Sequence, residues 1–426
     1  MPFDDQKHTR RDVLRSGGAA LGTGALTFSA GCSGLPPLGS AIRYGTVDVP
    51  AAGRPAYRDW IPAPSALPGS EGSDGNDPSE NSEDVMVYAP PPADAPAWTR
   101  ANIARTLIAV RADYVGVDID DVDVAFATGF GDESGGAVLL GDVDQSVVRE
   151  TVGQTPYEPA ESDTHHALYT RSDGGRSVAV FENGLVFADG PHARETIDTV
   201  VAAGRGEVPR LHERDDDFAV LTDSAGLRRW AWLWPGGISH VTGGGIREDT
   251  VGWATSFAHE SDAAYLVLTW VFPESYDLTA GKVKTALKAE SRAGLPGASE
   301  ATAVDVSVDG RVATIEMQAP PSEFASASET ALVTPFVTWS ASHDPAAERL
   351  TIRHEAGDPV RTDWLWIAGL SEDRQSVDTQ GLGDHVEPGE SLTVSTTAAQ
   401  HDETVRLVYE HPDEDGSTTL FGHDLT

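Results

Sequence analysis

This chain is short of the residues that most often carry recognisable chemistry. One of its 426 residues is cysteine, Cys32, so no disulfide can form within the chain and the fold must rest on hydrophobic cores. Lysine is almost missing: Lys7, Lys282, Lys284 and Lys288 are the only ones among 30 basic residues, and the others are arginine. With no basic stripe to release counterions, nucleic acid and anionic membrane surfaces are disfavoured as partners. None of Asn76, Asn81, Asn102 and Asn183 begins an Asn-X-Ser/Thr acceptor, which removes N-linked glycans. The apolar stretch from Gly18 to Gly31 is too short and too rich in glycine to span about 30 Å of hydrocarbon. Carboxylate is what abounds. The 67 Asp and Glu against 30 Lys and Arg leave a formal charge of −37, spread along the whole chain. Such a chain repels itself in dilute buffer, and molar salt, with a Debye length of about 3 Å, removes that penalty.

Near the start, Thr9-Arg10-Arg11-Asp12-Val13-Leu14-Arg15 precedes a run of Ala, Gly and Leu that ends in Ser29-Ala30-Gly31-Cys32. This resembles the signal of a twin-arginine-exported lipoprotein. The resemblance implies that residues 1–31 are a signal in which Arg10 and Arg11 are the export address. Cys32 would carry the lipid, and the mature protein would stand anchored to the extracellular face of the cell membrane. The acid-rich, lysine-poor composition resembles that of extremely halophilic archaea.

Residues 32–84 read as a tether followed by an acidic linker, since 65–84 hold almost no apolar side chain. From Val85 the periodicities predict β-α-β-β-α-β over 85–175. Val85–Tyr88 is a strand, 98–110 a helix, and 122–130 and 137–140 strands. Gln145–Val152 follows as a helix and 167–170 as a strand. The order recurs over 176–325, with an insertion at 205–250. Hairpins turn at Asn183-Gly184 and Asp309-Gly310, helices fall near 191–204 and 279–290, and strands at 251–257 and 265–272. Ala127-Thr128-Gly129-Phe130-Gly131-Asp132-Glu133-Ser134 matches Ala254-Thr255-Ser256-Phe257-Ala258-His259-Glu260-Ser261 at five of eight positions. The expected fold is therefore α+β: two tandem ferredoxin-like units, then an all-β sandwich over 331–426. Nine residues at largely alternate positions should form the core of the sandwich: Leu350, Ile352, Leu365, Ile367, Leu392, Val394, Val405, Leu407 and Leu420.

Within that last region, Leu350-Thr351-Ile352-Arg353-His354-Glu355-Ala356-Gly357-Asp358-Pro359-Val360 resembles the L-T-I-x-H-x-G-G-D-x-V segment of haloarchaeal type IV pilin-like domains. Val386-Glu387-Pro388-Gly389-Glu390 and the closing strands at 404–409 and 417–420 resemble further parts of them. Ala356 departs from the usual glycine. The resemblance implies contact with surface or pilus proteins.

Motifs for catalysis fall away on inspection. Gly131-Asp132-Glu133-Ser134-Gly135-Gly136 is near the nucleophile loop of chymotrypsin-like proteases. Glu133 would displace the serine, however, and no histidine lies between Cys32 and His165. His165-His166 would point to opposite faces of a strand, which suits surface imidazoles better than one metal. Asp118-Ile119-Asp120-Asp121-Val122-Asp123 has the acidity of a calcium loop but not its spacing. Gly236-Gly237 and Gly243-Gly244-Gly245 lack the Lys-Ser/Thr of a phosphate loop. No cofactor or metal is expected. Trp230, Trp232 and Trp234 alternate along one strand face, which suits core packing or an aromatic contact surface. The leading expectation is a lipid-anchored, non-catalytic surface protein that binds or scaffolds envelope components. The alternative is a solute-binding lipoprotein whose cleft, between the two α+β units, is lined by Trp230, Trp232, Trp234 and Trp253.

Overall fold

The computed structural model describes residues 42–68, 85–89, 103–104, 106–129, 135–160, 166–171, 175–236, 249–292, 301–320, 334–370, 375–377, 382–396, 404–410 and 417–425. Twelve strands build one sheet: β1 (Val85–Tyr88), β2 (Val122–Gly129), β3 (Gly135–Gly141), β4 (Tyr157–Pro159), β5 (Ala167–Arg171), β6 (Arg176–Phe181), β7 (Gly184–Asp189), β8 (Trp230–Pro235), β9 (Gly252–His259), β10 (Ala264–Val271), β11 (Ala303–Asp309) and β12 (Val312–Ala319). Their order is β11-β12-β10-β9-β8-β1-β2-β3-β7-β6-β5-β4.

Every neighbouring pair in this sheet is antiparallel. That overturns the expected pair of ferredoxin-like units. Their β-α-β crossovers would leave parallel strands side by side, and there are none among the described strands. The local elements exist, but hairpins and long returns connect them into a single sheet.

The sheet nevertheless repeats itself. On either side of the β1–β8 seam the order runs β1-β2-β3-β7-β6 and β8-β9-β10-β12-β11. In each half a three-strand meander is joined by a later hairpin through the hairpin's second strand. The shared sequence string does not mark this repeat. Ala127 lies opposite Met86 and faces one core, whereas Ala254 lies opposite Leu233 and faces the other. Because side chains alternate along a strand, the strings are out of phase by one residue. Phe130 lies outside the described residues.

Helices cover both faces. The front face is covered by the helical residues 103–104 and 106–109 with Ile103 and Leu107, by α1 (Gln145–Val152) with Val148 and Val152, and by a C-terminal helix through Val283 and Leu287. The back face is covered by α2 (Ala193–Gly204), through Ile197, Val200 and Val201, and by α3 (Asp216–Ala225), through Phe218 and Leu221. The helix carrying Val283 and Leu287 is α4 (Ala280–Arg292). Carboxylates start two of these helices. Asp144 accepts from the Ser146 and Val147 amides at 2.8 and 3.4 Å, and Asp215 accepts from Asp217 and Phe218 at 2.8 and 2.9 Å. Such caps satisfy amides that the helix itself leaves without acceptors.

The C-terminal strands are β13 (Val337–Asp344), β14 (Arg349–Gly357), β15 (Val360–Arg361), β16 (Leu365–Ala368), β17 (Gln375–Ser376), β18 (His385–Val386), β19 (Ser391–Ser395), β20 (Thr404–Glu410) and β21 (Ser417–Asp424). They form sheets of order β13-β14-β19, β15-β18 and β17-β16-β20-β21. All nine alternating aliphatics predicted for this region lie in the core these sheets share. The arm of residues 42–63, which includes a 3₁₀ helix at Ala56–Trp60, packs along the large sheet. Tyr44 bridges Val304 on edge strand β11, and Tyr57 packs into the back core.

Candidate functional site: a tryptophan layer on the central strands

Register alone brings the tryptophans together. Trp234 lies directly opposite Trp253, and Trp253 opposite Trp270, so β8, β9 and β10 each place one indole in a single front-face row. One row away, Trp232 lies between Met86 and Thr255, and beyond it Trp230 lies between Tyr88 and Phe257. Trp232 stacks on Trp234 and Trp253 lies tilted against Trp234, each at 4.1 Å between centroids, with Trp230 edge-on to Phe257 at 6.1 Å. Trp230, Trp232 and Trp270 are buried, while Trp234 and Trp253 are half-buried.

The expected four residues therefore do meet, and Trp270 completes them. Sequence reasoning missed Trp270 because its place depends on which strand β10 pairs with. The cleft expected between two α+β units is replaced by a layer at the middle of one sheet. Trp234 has two neighbouring indoles, those of Trp232 and Trp253, within 4.1 Å of its ring centroid.

The indole N–H groups distinguish two kinds of tryptophan. Trp230 donates to the Tyr88 hydroxyl, which also shares a 2.6 Å hydrogen bond with Thr106. Burial pushes the Tyr88 phenol up to about 12, so it stays a neutral partner. By contrast, the Nε1 atoms of Trp232, Trp253 and Trp270 are buried and meet no acceptor among the described residues. An indole N–H is a donor only, and leaving one buried and unpaired costs about 1–3 kcal/mol. Three such groups lie in this layer, and Trp339 shares the feature in the C-terminal region.

A second polar feature is structural. Asp113 accepts from Arg171 and Arg176, each at 2.8 Å, and from the Tyr157 hydroxyl at 3.0 Å. Arg171 also donates to the Trp339 carbonyl at 2.8 Å, and Thr338 donates to the Tyr114 carbonyl at 2.6 Å. Tyr114 meets Phe336 edge-on at 5.8 Å. This node ties the β5–β6 end of the large sheet to β13. Burial first, and Asp113 second, hold the Tyr157 phenol well above its ordinary value.

The remaining motifs resolve simply. Cys32, Arg10, Arg11, His165, Asp132–Ser134 and Gly243–Gly245 lie outside the described residues. His166, expected at the surface, is buried with Nε2 at 3.4 Å from Asp198 of α2. Asp118 caps a short 3₁₀ turn at Ile119–Asp121 by accepting from the Asp120 amide. Among the described residues no cluster of three or more His, Cys, Asp or Glu is placed to hold a metal. None of the described helices is long and apolar enough to cross a membrane.

No family model and no curated protein matches this chain. Among solved structures it is similar to three crystal forms of TP0453. Form III aligns at TM-score 0.37 and 10% identity over 62% of this chain and 96% of that one. Form I aligns at 0.36 and 10% over 58% and 92%, and form IV at 0.36 and 11% over 59% and 93%. At such TM-scores the likeness carries no argument about this protein's fold or function.

Proposed function

We propose that this chain is an exported, lipid-anchored binding protein of a halophile's outer surface, held through Cys32 and acting without catalysis on envelope components. The export address Arg10-Arg11, the small-residue run into the sole cysteine, and the charge of −37 support this reading. The segment around His354, which resembles pilin-like domains, supports surface or pilus proteins as partners.

The observation that carries the binding role is the tryptophan layer, and it favours the solute form of that role. Three buried donors at Trp232, Trp253 and Trp270 lack acceptors among the described residues, and the half-buried Trp234 and Trp253 belong to the same layer. A solute with an apolar body and acceptor oxygens fits both demands. Protein purified in molar salt should carry such a compound in native mass spectrometry. Its binding should weaken about tenfold in Trp232→Phe, which removes the donor and keeps a ring. If no compound is retained and organic extracts leave tryptophan fluorescence unchanged, the solute reading fails and the protein-partner reading remains. A pull-down from membranes in molar salt then tests the latter.

A further inference from the structure

The front face of the sheet from β8 to β11 carries no carboxylate, guanidinium or ammonium group of its own strands. On β10, β12 and β11 the side chains that alternate to this face are apolar or indole, Trp270 being the single ring with a polar atom. Strand β9 adds one hydroxyl, Thr255, and one imidazole, His259, the latter at the far end from the tryptophans. The other polar residues of these strands, Ser256, Thr269 and Glu316 among them, alternate to the back.

Into this face three N–H donors are set. Trp253 and Trp270 are direct cross-strand partners, and Trp232 lies one strand over and one row along from Trp253. Neighbouring strands are about 5 Å apart, so the three indoles form one patch. Their Nε1 atoms are buried and meet no acceptor among the described residues. Trp234 and Trp253 are half-buried at the margin of the patch, so its way in from solvent is lined by aromatic carbon.

We propose that the solute held by the tryptophan layer is neutral and meets it through ketone, ester or ether oxygens, with Trp232, Trp253 and Trp270 setting that preference. The proposal rests on the solute reading of this layer and narrows its ligand to one chemical class. An indole N–H donates and cannot accept, so a polar group placed against three of them must be an acceptor. A hydroxyl or amine brings a donor of its own. Beside the indoles, Thr255 is the one side chain on this face with an oxygen to receive it, and the strand carbonyls are already engaged in the ladder. A carboxylate accepts well but brings a charge to a face with no counter-charge. Hydrogen bonds offset only part of the cost of desolvating that ion.

One ring skeleton with three different polar groups tests this on full-length protein. The probes are the methyl ketone, the methyl carbinol and the carboxylate of a single naphthyl isomer, titrated calorimetrically. Molar salt screens the general repulsion of anions by the acidic chain. The ketone should bind about tenfold tighter than the carbinol and about a hundredfold tighter than the carboxylate. In protein with isotope-labelled tryptophan, the ketone should move the indole N–H signals of Trp232, Trp253 and Trp270 downfield. The signal of Trp230, already bonded to Tyr88, should stay in place. Trp253→Phe keeps a ring at the half-buried margin and should weaken the ketone about tenfold. A carbinol or carboxylate that binds as tightly as the ketone would overturn the proposal and leave the solute reading standing. Ketone binding that leaves the three N–H signals unmoved would do the same. If no probe binds, the compound retained in native mass spectrometry decides. A ketone, ester or ether supports the proposal, an acid, amine or polyol overturns it alone, and no retained compound removes the solute reading with it.

Discussion

Removing the carboxylate of Asp113 should be among the most damaging single changes in the large sheet. Asp113 and Arg171 have side-chain exposures of 5% and 0%, and Arg176 of 11%, so these charges are shielded from solvent. Asp113→Ala removes the buried carboxylate to which both guanidinium groups donate, and with it the acceptor of the Tyr157 hydroxyl. Breaking a buried pair from one side costs about 3–5 kcal/mol, because the remaining charge stays desolvated. Arg176→Met should cost less, under about 2 kcal/mol, since it leaves Asp113 and Arg171 as a matched pair. Urea unfolding in molar salt measures both, with stability taken from midpoint and slope. Amide exchange in β13 should accelerate in Asp113→Ala, because Arg171 also holds the Trp339 carbonyl. A cost below about 1 kcal/mol for Asp113→Ala would refute the reasoning, as would an equal cost for Arg176→Met.

Dialysis from molar salt into dilute neutral buffer should unfold the protein partly or completely, because the carboxylates then repel unscreened; a melting temperature that stays constant with salt would contradict this. Burial lowers the His354 pKa from its ordinary 6.5. Below pH 6.5 the unfolded chain therefore binds a proton that the folded chain does not, so stability should fall with pH there, and less steeply in His354→Phe. Gly357 has φ +109°, and a Cβ there would approach the Phe336 carbonyl oxygen to 2.3 Å. Gly357→Ala should cost roughly 1–3 kcal/mol in urea unfolding, whereas Ala356→Gly should cost less than about 1 kcal/mol.

Local elements were legible because their signals are local. Gln145–Val152 falls where periodicity predicts it, and both hairpins form, each with its turn one residue away from the expected dipeptide: Glu182-Asn183 joins β6 to β7 and Gly310-Arg311 joins β11 to β12. Pairing between distant strands was not legible. Nothing near Val85–Tyr88 announces that it lies beside Trp230–Leu233, nearly 150 residues on, and that seam is what fuses the halves into one sheet. The A-T-x-F string misled because a match of residue names ignores which sheet face each residue occupies. The helix at Asp216–Ala225 was missed, since an acidic start and a small apolar face gave it little contrast with the loop around it. In the C-terminal segment the absent glycine at Ala356 proves harmless. The left-handed φ falls on Gly357, and the register shift opposite it lies between Thr338 and Trp339. For the site, alternation placed Trp230, Trp232 and Trp234 on one face, but the unmet indole donors depend on tertiary packing that alternation does not encode.

The proposed function stands or falls on whether Cys32 fixes this protein to the outer face of the membrane. Intact-mass analysis of protein extracted from membranes in molar salt tests it most directly. The account predicts a chain that starts at Cys32 and carries the added mass of lipid, with export blocked when Arg10 and Arg11 are both replaced by lysine. A native protein found inside the cell with residues 1–31 attached and an unmodified Cys32 would contradict it.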